Sequence, residues 1–233
     1  MKKLIEKYKD IYWIAHRGLP YKAVENSNTG FELAGQLPFF GIETDLHLTK
    51  DEHIVAHHDH NIKRITGLDA LISELDLNSI SDIKLKDSLD NIPKFSTYLN
   101  ICKKYNKVAI IELKVIFKPH QLTMLFDEIK IRNYLDKVII ISFHMDNLIN
   151  IRKLYPDLTL QFLSSKFNQD IFKNLIDYHL ELSLYHEAIT KDIIEEMHKN
   201  NLKVAAWTVN NLTSIERLVE IGIDYITTDG FHI

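Results

Sequence analysis

The sequence predicts an α/β fold, a closed (β/α)8 TIM barrel with a small insertion between the second strand and the second helix. Short runs rich in Ile and Val recur eight times along the 233 residues, and the later runs alternate with amphipathic segments. Strands that alternate with helices form a parallel sheet covered by helices. The length fits one barrel of about 250 residues. The chain has no GxGxxG turn, so an open doubly wound sheet is the weaker alternative.

The predicted strands and helices follow one another in a regular order. The strands are expected at residues 11–18, 40–49, 107–114, 137–143, 158–164, 180–186, 203–209 and 224–230. Helical patterns cover residues 120–135, 145–155, 168–179, 190–201 and 212–222. Near the N-terminus, Leu4, Ile5 and Tyr8 recur at helical spacing, which predicts a short helix that covers part of the barrel.

Residues 60–93 interrupt this order. The segment is too long for a plain strand-to-helix loop and too apolar to be disordered, so it is interpreted as a small insertion above the barrel. No linker and no change of composition divides the chain into two domains. Residues 1–233 are therefore expected to form a single barrel domain.

Composition excludes several classes of function. A net charge of −4 and an isoelectric point near 6.3 leave no basic surface of the kind that binds nucleic acid. No apolar run approaches the roughly 20 residues of a membrane span. The single cysteine, Cys102, excludes an internal disulfide and suits a reducing compartment. We expect a cytoplasmic protein with a small-molecule substrate, no nucleic-acid partner and no stable membrane insertion; its oligomeric state is left open.

Three carboxylates stand where adjacent predicted strands end. Glu43 and Asp45 share one face of the second strand because side chains alternate along a strand, and Glu112 ends the third. Carboxylates held together in an apolar scaffold repel one another, and a bound cation relieves that cost. An all-oxygen site suits Mg²⁺ or Ca²⁺. A structural ion network with Arg17 and Lys114 is the alternative.

Histidines at the strand ends predict proton transfer. His16 ends the first strand, and His58 follows the carboxylates of the second. His57 and His58 face opposite ways in an extended segment, so only one of them can look into the site. His47 shares a face with the carboxylates, and we expect it to support the site by hydrogen bonding, with a role as a metal ligand as the alternative. Histidine is suited to donating and accepting protons near neutral pH.

Two cationic side chains complete the set. Arg17 and Lys114 stand beside the predicted cation site, where Arg17 would hold a phosphate by bidentate hydrogen bonds and Lys114 as a point charge. Cleaving a phosphodiester also requires one group that takes a proton and one that gives a proton. The combination of carboxylates, cations and histidines predicts metal-assisted phosphodiester hydrolysis.

In these motifs the sequence resembles the glycerophosphodiester phosphodiesterase family. The matching motifs are HRG at 16–18, EN at 25–26, ETDLHLTKD at 43–51, HHDHNIKRITG at 57–67, IPKFSTYL at 92–99, IELK at 111–114, AWTVN at 206–210 and ITTDG at 226–230. They occur in the family's order and extend over the whole chain, which makes the ordered set specific although no single motif is.

The resemblance implies a TIM barrel that hydrolyses glycerophosphodiesters to glycerol 3-phosphate and an alcohol. It implies one divalent cation, Mg²⁺ or Ca²⁺ with Mn²⁺ as a further candidate. The site residues that it implies are Glu43, Asp45 and Glu112 for the cation, His16 and His58 as the acid and base, and Arg17, Lys114 and Trp207 for the substrate.

Several alternatives are left open at this point. The barrel could act on lipid phosphodiesters, as phospholipases of the C or D type do, or it could have lost catalysis and serve as a binding protein. The alcohol of the substrate, the choice of acid and base between the histidines, and direct attack by water or cyclisation through a glycerol hydroxyl are also open.

Overall fold

The eight barrel strands form at the places that the sequence predicts. The computed structural model describes residues 1–230, and the last three residues of the predicted domain lie outside the described residues. Its strands are β1 (Tyr12–Ala15), β2 (Gly41–Leu48), β3 (Ile54–Ala56), β4 (Val108–Leu113), β5 (Val138–Ser142), β6 (Thr159–Ser164), β7 (Glu181–Tyr185), β8 (Val204–Trp207) and β9 (Tyr225–Thr228).

Helices follow most of the strands. They are α1 (Lys2–Lys7), α2 (Asn28–Gly35), α3 (Lys63–Thr66), α4 (Leu77–Ser81), α5 (Phe95–Lys104), α6 (Pro119–Ile131), α7 (Met145–Leu154), α8 (Gln169–Asp177), α9 (Lys191–Lys199) and α10 (Leu212–Glu220). Asn168, Thr190 and Asn211 precede three of them and accept a hydrogen bond from the backbone three residues later, which fixes where those helices begin. Within residues 1–230, no helix is long and apolar enough to cross a membrane.

Eight parallel strands close into a barrel. The order is β1, β9, β8, β7, β6, β5, β4 and β2, and β1 pairs with β2 to complete the ring. Apolar side chains from six of the strands meet inside it: Ile14, Ile110, Ile139, Ile141, Leu163, Ala205 and Tyr225. A larger core fills the space between strands and outer helices. The predicted (β/α)8 TIM barrel is confirmed.

A strand that the sequence did not predict precedes the insertion. Strand β3 turns back on β2 and pairs with it antiparallel, so His47 lies opposite Val55. The residues that follow fold over a small core of their own. That core comprises Val55, Ile62, Ile65, Ile72, Ile80, Leu85 and Ile92. The insertion therefore stands on the hairpin of β2 and β3, at the end of β2 where the site is expected.

The N-terminal helix packs on the barrel as the sequence predicts. Leu4 and Ile5 of α1 are buried in the main core. The indole nitrogen of Trp13 donates a hydrogen bond to the carbonyl of Tyr8 at 3.1 Å, which ties the end of α1 to the beginning of β1. This helix lies against the amino end of the strand, away from the predicted site.

Candidate active site

The three predicted carboxylates come together at the carboxyl ends of β2 and β4. In the parallel register Asp45 lies directly opposite Glu112, and Glu43 is two residues before Asp45 on the same face. One oxygen from each side chain lies within 4.8 Å of the others, and all three residues are buried. Active sites of TIM barrels lie at this end of the strands. The structure thus brings together the predicted cation ligands.

Burial and mutual repulsion act on these carboxylates in different ways. Burial, followed by the charges of Asp45 and Glu112, raises the pKa of Glu43 well above its usual range. Burial and the charge of Asp45 raise the pKa of Glu112 to about 7. Burial opposes the ionisation of Asp45 as well, but Arg17 and Lys114 outweigh it and lower that pKa. The three groups cannot all ionise here at low cost.

A divalent cation fits this arrangement. Glu43 Oε1 and Asp45 Oδ1 are buried and accept no hydrogen bond from the protein, so both oxygens keep lone pairs for a cation. Carboxylate oxygens are the ligands that Mg²⁺ and Ca²⁺ prefer. A cation would favour the ionised form of all three side chains, which removes the repulsion described above.

The two predicted cationic side chains border the same carboxylates. Arg17 Nε lies 3.2 Å from Asp45 Oδ2, and Lys114 Nζ lies 2.8 Å from Glu112 Oε1 and 3.5 Å from Asp45 Oδ1. With all three carboxylates ionised, the two cations leave one negative charge uncompensated. The structure therefore contains the ion network that the sequence left as an alternative, and the ionised network would still carry a charge that attracts a cation.

The backbone after β1 explains why Gly18 follows Arg17. Arg17 has φ +49°, and its N–H donates to Glu43 Oε2 at 2.7 Å. Gly18 has φ +84°, and a Cβ there would lie 2.8 Å from the backbone carbon of Gly30. Only glycine tolerates both the left-handed backbone and this close approach of α2. The strained turn points the Arg17 amide at a carboxylate of the site.

One predicted histidine is held entirely by the barrel. His16 follows β1, and its Nδ1 lies 2.6 Å from Asp229 Oδ1 at the end of β9. Asn210 donates to the other oxygen of Asp229 at 2.6 Å and accepts from the Asp229 N–H at 2.9 Å. Burial opposes it, but the hydrogen bond with His16 lowers the pKa of Asp229. Because an ionised carboxylate only accepts, the His16 proton lies on Nδ1.

The other predicted histidine is held by the hairpin and the insertion. The N–H of His57 donates to the carbonyl of Asp45 at 2.9 Å, which returns the chain to the site. The next residue, His58, has its Nδ1 2.7 Å from Asp59 Oδ1. Burial lowers the pKa of His58. Both histidines thus direct Nδ1 at an aspartate, which leaves Nε2 as the nitrogen that could transfer a proton.

Two other histidines near the site, His57 and His47, contact backbone carbonyls. His57 is fully buried with its Nδ1 2.8 Å from the carbonyl of Asp59, so it faces away from the site, in line with the expected opposite orientations. The sequence predicts a supporting hydrogen bond for His47. Its Nε2 lies 3.0 Å from the carbonyl of His58, so it holds the segment that follows β3 rather than a carboxylate. Burial lowers the pKa of His47 to about 4.

These side chains surround a cavity of about 200 Å³. The ionisable residues of its wall are His16, Arg17, Glu43, His58, Glu112 and Lys114. The apolar wall includes Trp207 and the half-exposed Phe143, whose rings meet edge to face at 5.6 Å. A wider groove of about 740 Å³ lies by the amino ends of β5 and β6, but the converging ionisable groups mark the smaller cavity.

Sequence reasoning missed several supporting residues. Asn26 is buried, donates to Asp45 Oδ2 at 2.8 Å and accepts from Thr44 at 2.8 Å. Glu25 accepts from Arg17 Nη1 at 3.1 Å. The EN motif at 25–26 is the sequence signal for Glu25 and Asn26, and the motif alone does not indicate what either residue does. Nor did the sequence indicate which partner Asn210 would hold.

Comparison with known proteins agrees with this geometry. The profile of the Glycerophosphoryl diester phosphodiesterase family matches residues 16–232. A glycerophosphodiester phosphodiesterase from Caldanaerobacter subterraneus subsp. tengcongensis is 28% identical over 93% of this chain and 93% of its own. A human lysophospholipase D is 31% identical, but over only 52% of this chain and 36% of its own.

Solved structures share the fold. A phosphodiesterase from Oleispira antarctica, in complex with the product sn-glycerol-3-phosphate, superposes with a TM-score of 0.88 at 21% identity, over 96% of this chain and 94% of its own. A glycerophosphodiester phosphodiesterase from Thermotoga maritima gives a TM-score of 0.78 at 22% identity, over 94% of each chain. From its profile match over almost the whole chain, this protein belongs to the glycerophosphoryl diester phosphodiesterase family and is a phosphoric diester hydrolase.

Proposed function

We propose that this enzyme hydrolyses glycerophosphodiesters to glycerol 3-phosphate and an alcohol with one divalent cation and a pair of histidines. One observation carries the proposal: two histidines, each oriented by an aspartate, line the same small cavity as Glu43 and Glu112, two of the three clustered carboxylates. The product complex of the Oleispira antarctica protein supports the choice of substrate.

Glu43, Asp45 and Glu112 would hold the cation. When bound, it would act as a Lewis acid on the phosphoryl oxygens. Mg²⁺ and Ca²⁺ are the candidates that the oxygen ligands favour, with Mn²⁺ as a third.

Arg17 and Lys114 bind the phosphate in this proposal. A guanidinium carries five N–H donors, and the contacts of Arg17 with Glu25 and Asp45 do not use them all. The positive charges stabilise the negative charge that develops on the phosphoryl oxygens in the transition state. Trp207 packs against the carbon skeleton of the substrate from the apolar wall of the cavity.

The histidines transfer the protons. One of His16 and His58 takes a proton from the attacking hydroxyl at Nε2, and the other gives a proton at Nε2 to the oxygen of the departing alcohol. Asp229 and Asp59 keep the Nδ1 proton in place, so each ring has one defined reactive nitrogen. The attacking hydroxyl belongs either to water or to the glycerol.

A substrate analogue separates those two routes. If the glycerol hydroxyl attacks first, a cyclic phosphate forms, and a diester of 2-deoxyglycerol cannot react in that way. Turnover of the 2-deoxy substrate at the rate of the natural one supports direct attack by water. A cyclic product in the ³¹P NMR spectrum, together with an inert 2-deoxy substrate, supports cyclisation.

The central test measures release of glycerol 3-phosphate by the purified enzyme. Glycerophosphocholine, glycerophosphoethanolamine and glycerophosphoglycerol are each supplied with Mg²⁺, Ca²⁺, Mn²⁺ or EDTA. We expect release that requires a divalent cation. Absence of glycerol 3-phosphate from every diester would contradict the proposal. Release of choline from lysophosphatidylcholine alone would favour the phospholipase alternative, for which the human lysophospholipase D match is the specific support.

A further inference from the structure

Arg64, for which the sequence indicated no role, connects the insertion to the candidate active site. It lies on α3, outside the cavity, and its guanidinium makes three hydrogen bonds. Nε donates to Asp59 Oδ2 at 2.6 Å. Nη1 and Nη2 donate to the two oxygens of Glu25 at 2.9 Å and 2.6 Å. This bidentate fork is a contact that lysine cannot reproduce.

Each of the two carboxylates also binds a residue of the site. Asp59 uses its second oxygen, Oδ1, for Nδ1 of His58 at 2.7 Å. Glu25 accepts from Nη1 of Arg17 at 3.1 Å. A continuous chain of hydrogen bonds therefore runs from His58 in the cavity, through Arg64, to Arg17 beside Asp45.

We propose that Arg64 is a positioning residue, through which the insertion sets the orientation of His58 and of Arg17 together. The proposal rests on the proposed function, because it assigns to both residues the roles described there. In this interpretation, the insertion completes the active site without touching the substrate.

Exposed ion pairs usually contribute little, and three observations set this one apart. The Glu25 side chain is only 16% exposed, whereas that of Arg64 is 47% exposed. Partial burial opposes it, but the hydrogen bond from Arg64 lowers the pKa of Asp59 to about 2, so this carboxylate stays ionised and can accept from His58. Finally, Ile62 and Ile65 anchor the short helix in the insertion core.

The test compares three variants of the full-length enzyme. Arg64→Ala removes the fork, Arg64→Lys retains only the charge, and Lys63→Ala is the control. Lys63 precedes Arg64 on α3 and pairs with Asp69 at 2.7 Å, away from the site. Turnover of a glycerophosphodiester is measured together with thermal unfolding, so that loss of folded protein is separated from loss of activity.

We expect Arg64→Ala to lower kcat by about 10- to 100-fold and to raise KM, as removal of an orienting partner does. Arg64→Lys should recover little of this loss, and free guanidinium ion should restore part of it in Arg64→Ala only. Lys63→Ala should behave as the wild type. A folded Arg64→Ala enzyme with kcat within about twofold of the wild type would overturn the proposal.

A second readout does not depend on turnover. In ¹⁵N-histidine NMR spectra, the His58 signal is assigned by its absence from His58→Gln. The wild type should show the Nδ1–H tautomer, and Arg64→Ala should lose that preference; an unchanged tautomer would overturn the proposal. If the wild type hydrolyses no diester, the proposed function fails, whereas the tautomer still decides whether Arg64 positions His58.

Discussion

The two sides of the active site are built in different ways. On the barrel side, His16 and Asp229 follow neighbouring strands, and the backbone N–H of His16 donates to the carbonyl of Thr228 at 2.9 Å. On the insertion side, His58 and its partner Asp59 follow a three-residue strand that pairs with β2 alone among the barrel strands. Two similar histidine–aspartate pairs are thus held differently: one by two neighbouring barrel strands, the other by a segment that follows a short strand outside the barrel.

The partners of the aspartates differ as well. Asn210, a neutral amide from the loop after β8, holds Asp229 on the barrel side. Arg64, a cation on the insertion, holds Asp59 on the other. The barrel frame alone can orient one of the two proposed proton-transfer groups, His16, whereas the other, His58, should depend on whether a separate small core is folded. The comparison predicts that changes in the insertion act on His58 and leave His16 in place.

Removing one of the proposed cation ligands should lower activity the most, because both sides of the site share the three carboxylates Glu43, Asp45 and Glu112. Glu43→Gln and Glu112→Gln are each expected to lower kcat/KM by more than about 100-fold, beyond the loss typical of orienting partners. Titration calorimetry with Mg²⁺ and Ca²⁺ should show weakened binding. Glu195→Gln, on the exposed face of α9, is the control. Wild-type cation affinity in both Gln variants would contradict the ligand assignment.

Changes on the barrel side should come next. Asp229→Asn replaces the acceptor of the His16 Nδ1–H by an amide, and we expect a loss in kcat of about 100-fold or more, as for other histidines deprived of an orienting carboxylate. Asn210→Ala should lower kcat by about 10-fold, because Asp229 remains ionised but loses a hydrogen-bond donor. The tautomer of His58, observed by NMR, should not change in either variant. A change at His58 would mean that the two sides are coupled.

A substitution that creates a cavity in the insertion core should destabilise the insertion without destabilising the barrel. Ile62 is fully buried there, and Ile62→Ala is expected to destabilise the protein by about 2–4 kcal/mol. Hydrogen exchange should accelerate mainly in residues 60–93. Leu125→Ala, at a fully buried position of α6, is the matched control and should accelerate exchange in the barrel. Equal exchange profiles for the two variants would show that the insertion does not unfold on its own.

We expect the smallest effect on activity from the contact between the β2–β3 turn and α6. Glu52 accepts from Gln121 at 2.7 Å and lies 3.0 Å from Nε2 of His120 on α6. The contact with His120 is exposed and both contacts lie outside the cavity, so Glu52→Ala should leave kcat within about twofold of the wild type. A larger loss in a steady-state assay would mean that the hairpin needs this second anchor to place His58. His120→Ala should then show the same loss.

The sequence predicted the barrel because its signals are local and repeated. Each strand is a short apolar run, and the helices between the later strands have amphipathic faces. It also predicted which residues gather at the site, because the carboxyl ends of parallel strands meet at one end of a barrel. The convergence of Glu43, Asp45 and Glu112 follows from that rule alone.

The supporting contacts could not be predicted in the same way. Strand β3 is only three residues long, too short for alternation to reveal it. The partners of Arg64 lie 5 and 39 residues away in sequence, and their meeting depends on how the insertion packs over the barrel. His47 shared a face with the carboxylates, but the return of the hairpin gave it a backbone carbonyl as partner.

The choice of leaving group tests most directly whether both sides transfer protons. The 4-nitrophenyl ester of glycerol 3-phosphate has a leaving group that departs without protonation, whereas glycerophosphoethanolamine needs a general acid. Measuring kcat of His16→Ala and His58→Ala on both substrates should show one variant that is impaired only on the alkyl ester and one that is impaired on both. Equal losses on the two esters for both variants, or no loss in either variant, would contradict the pairing of a general acid with a general base across this cavity.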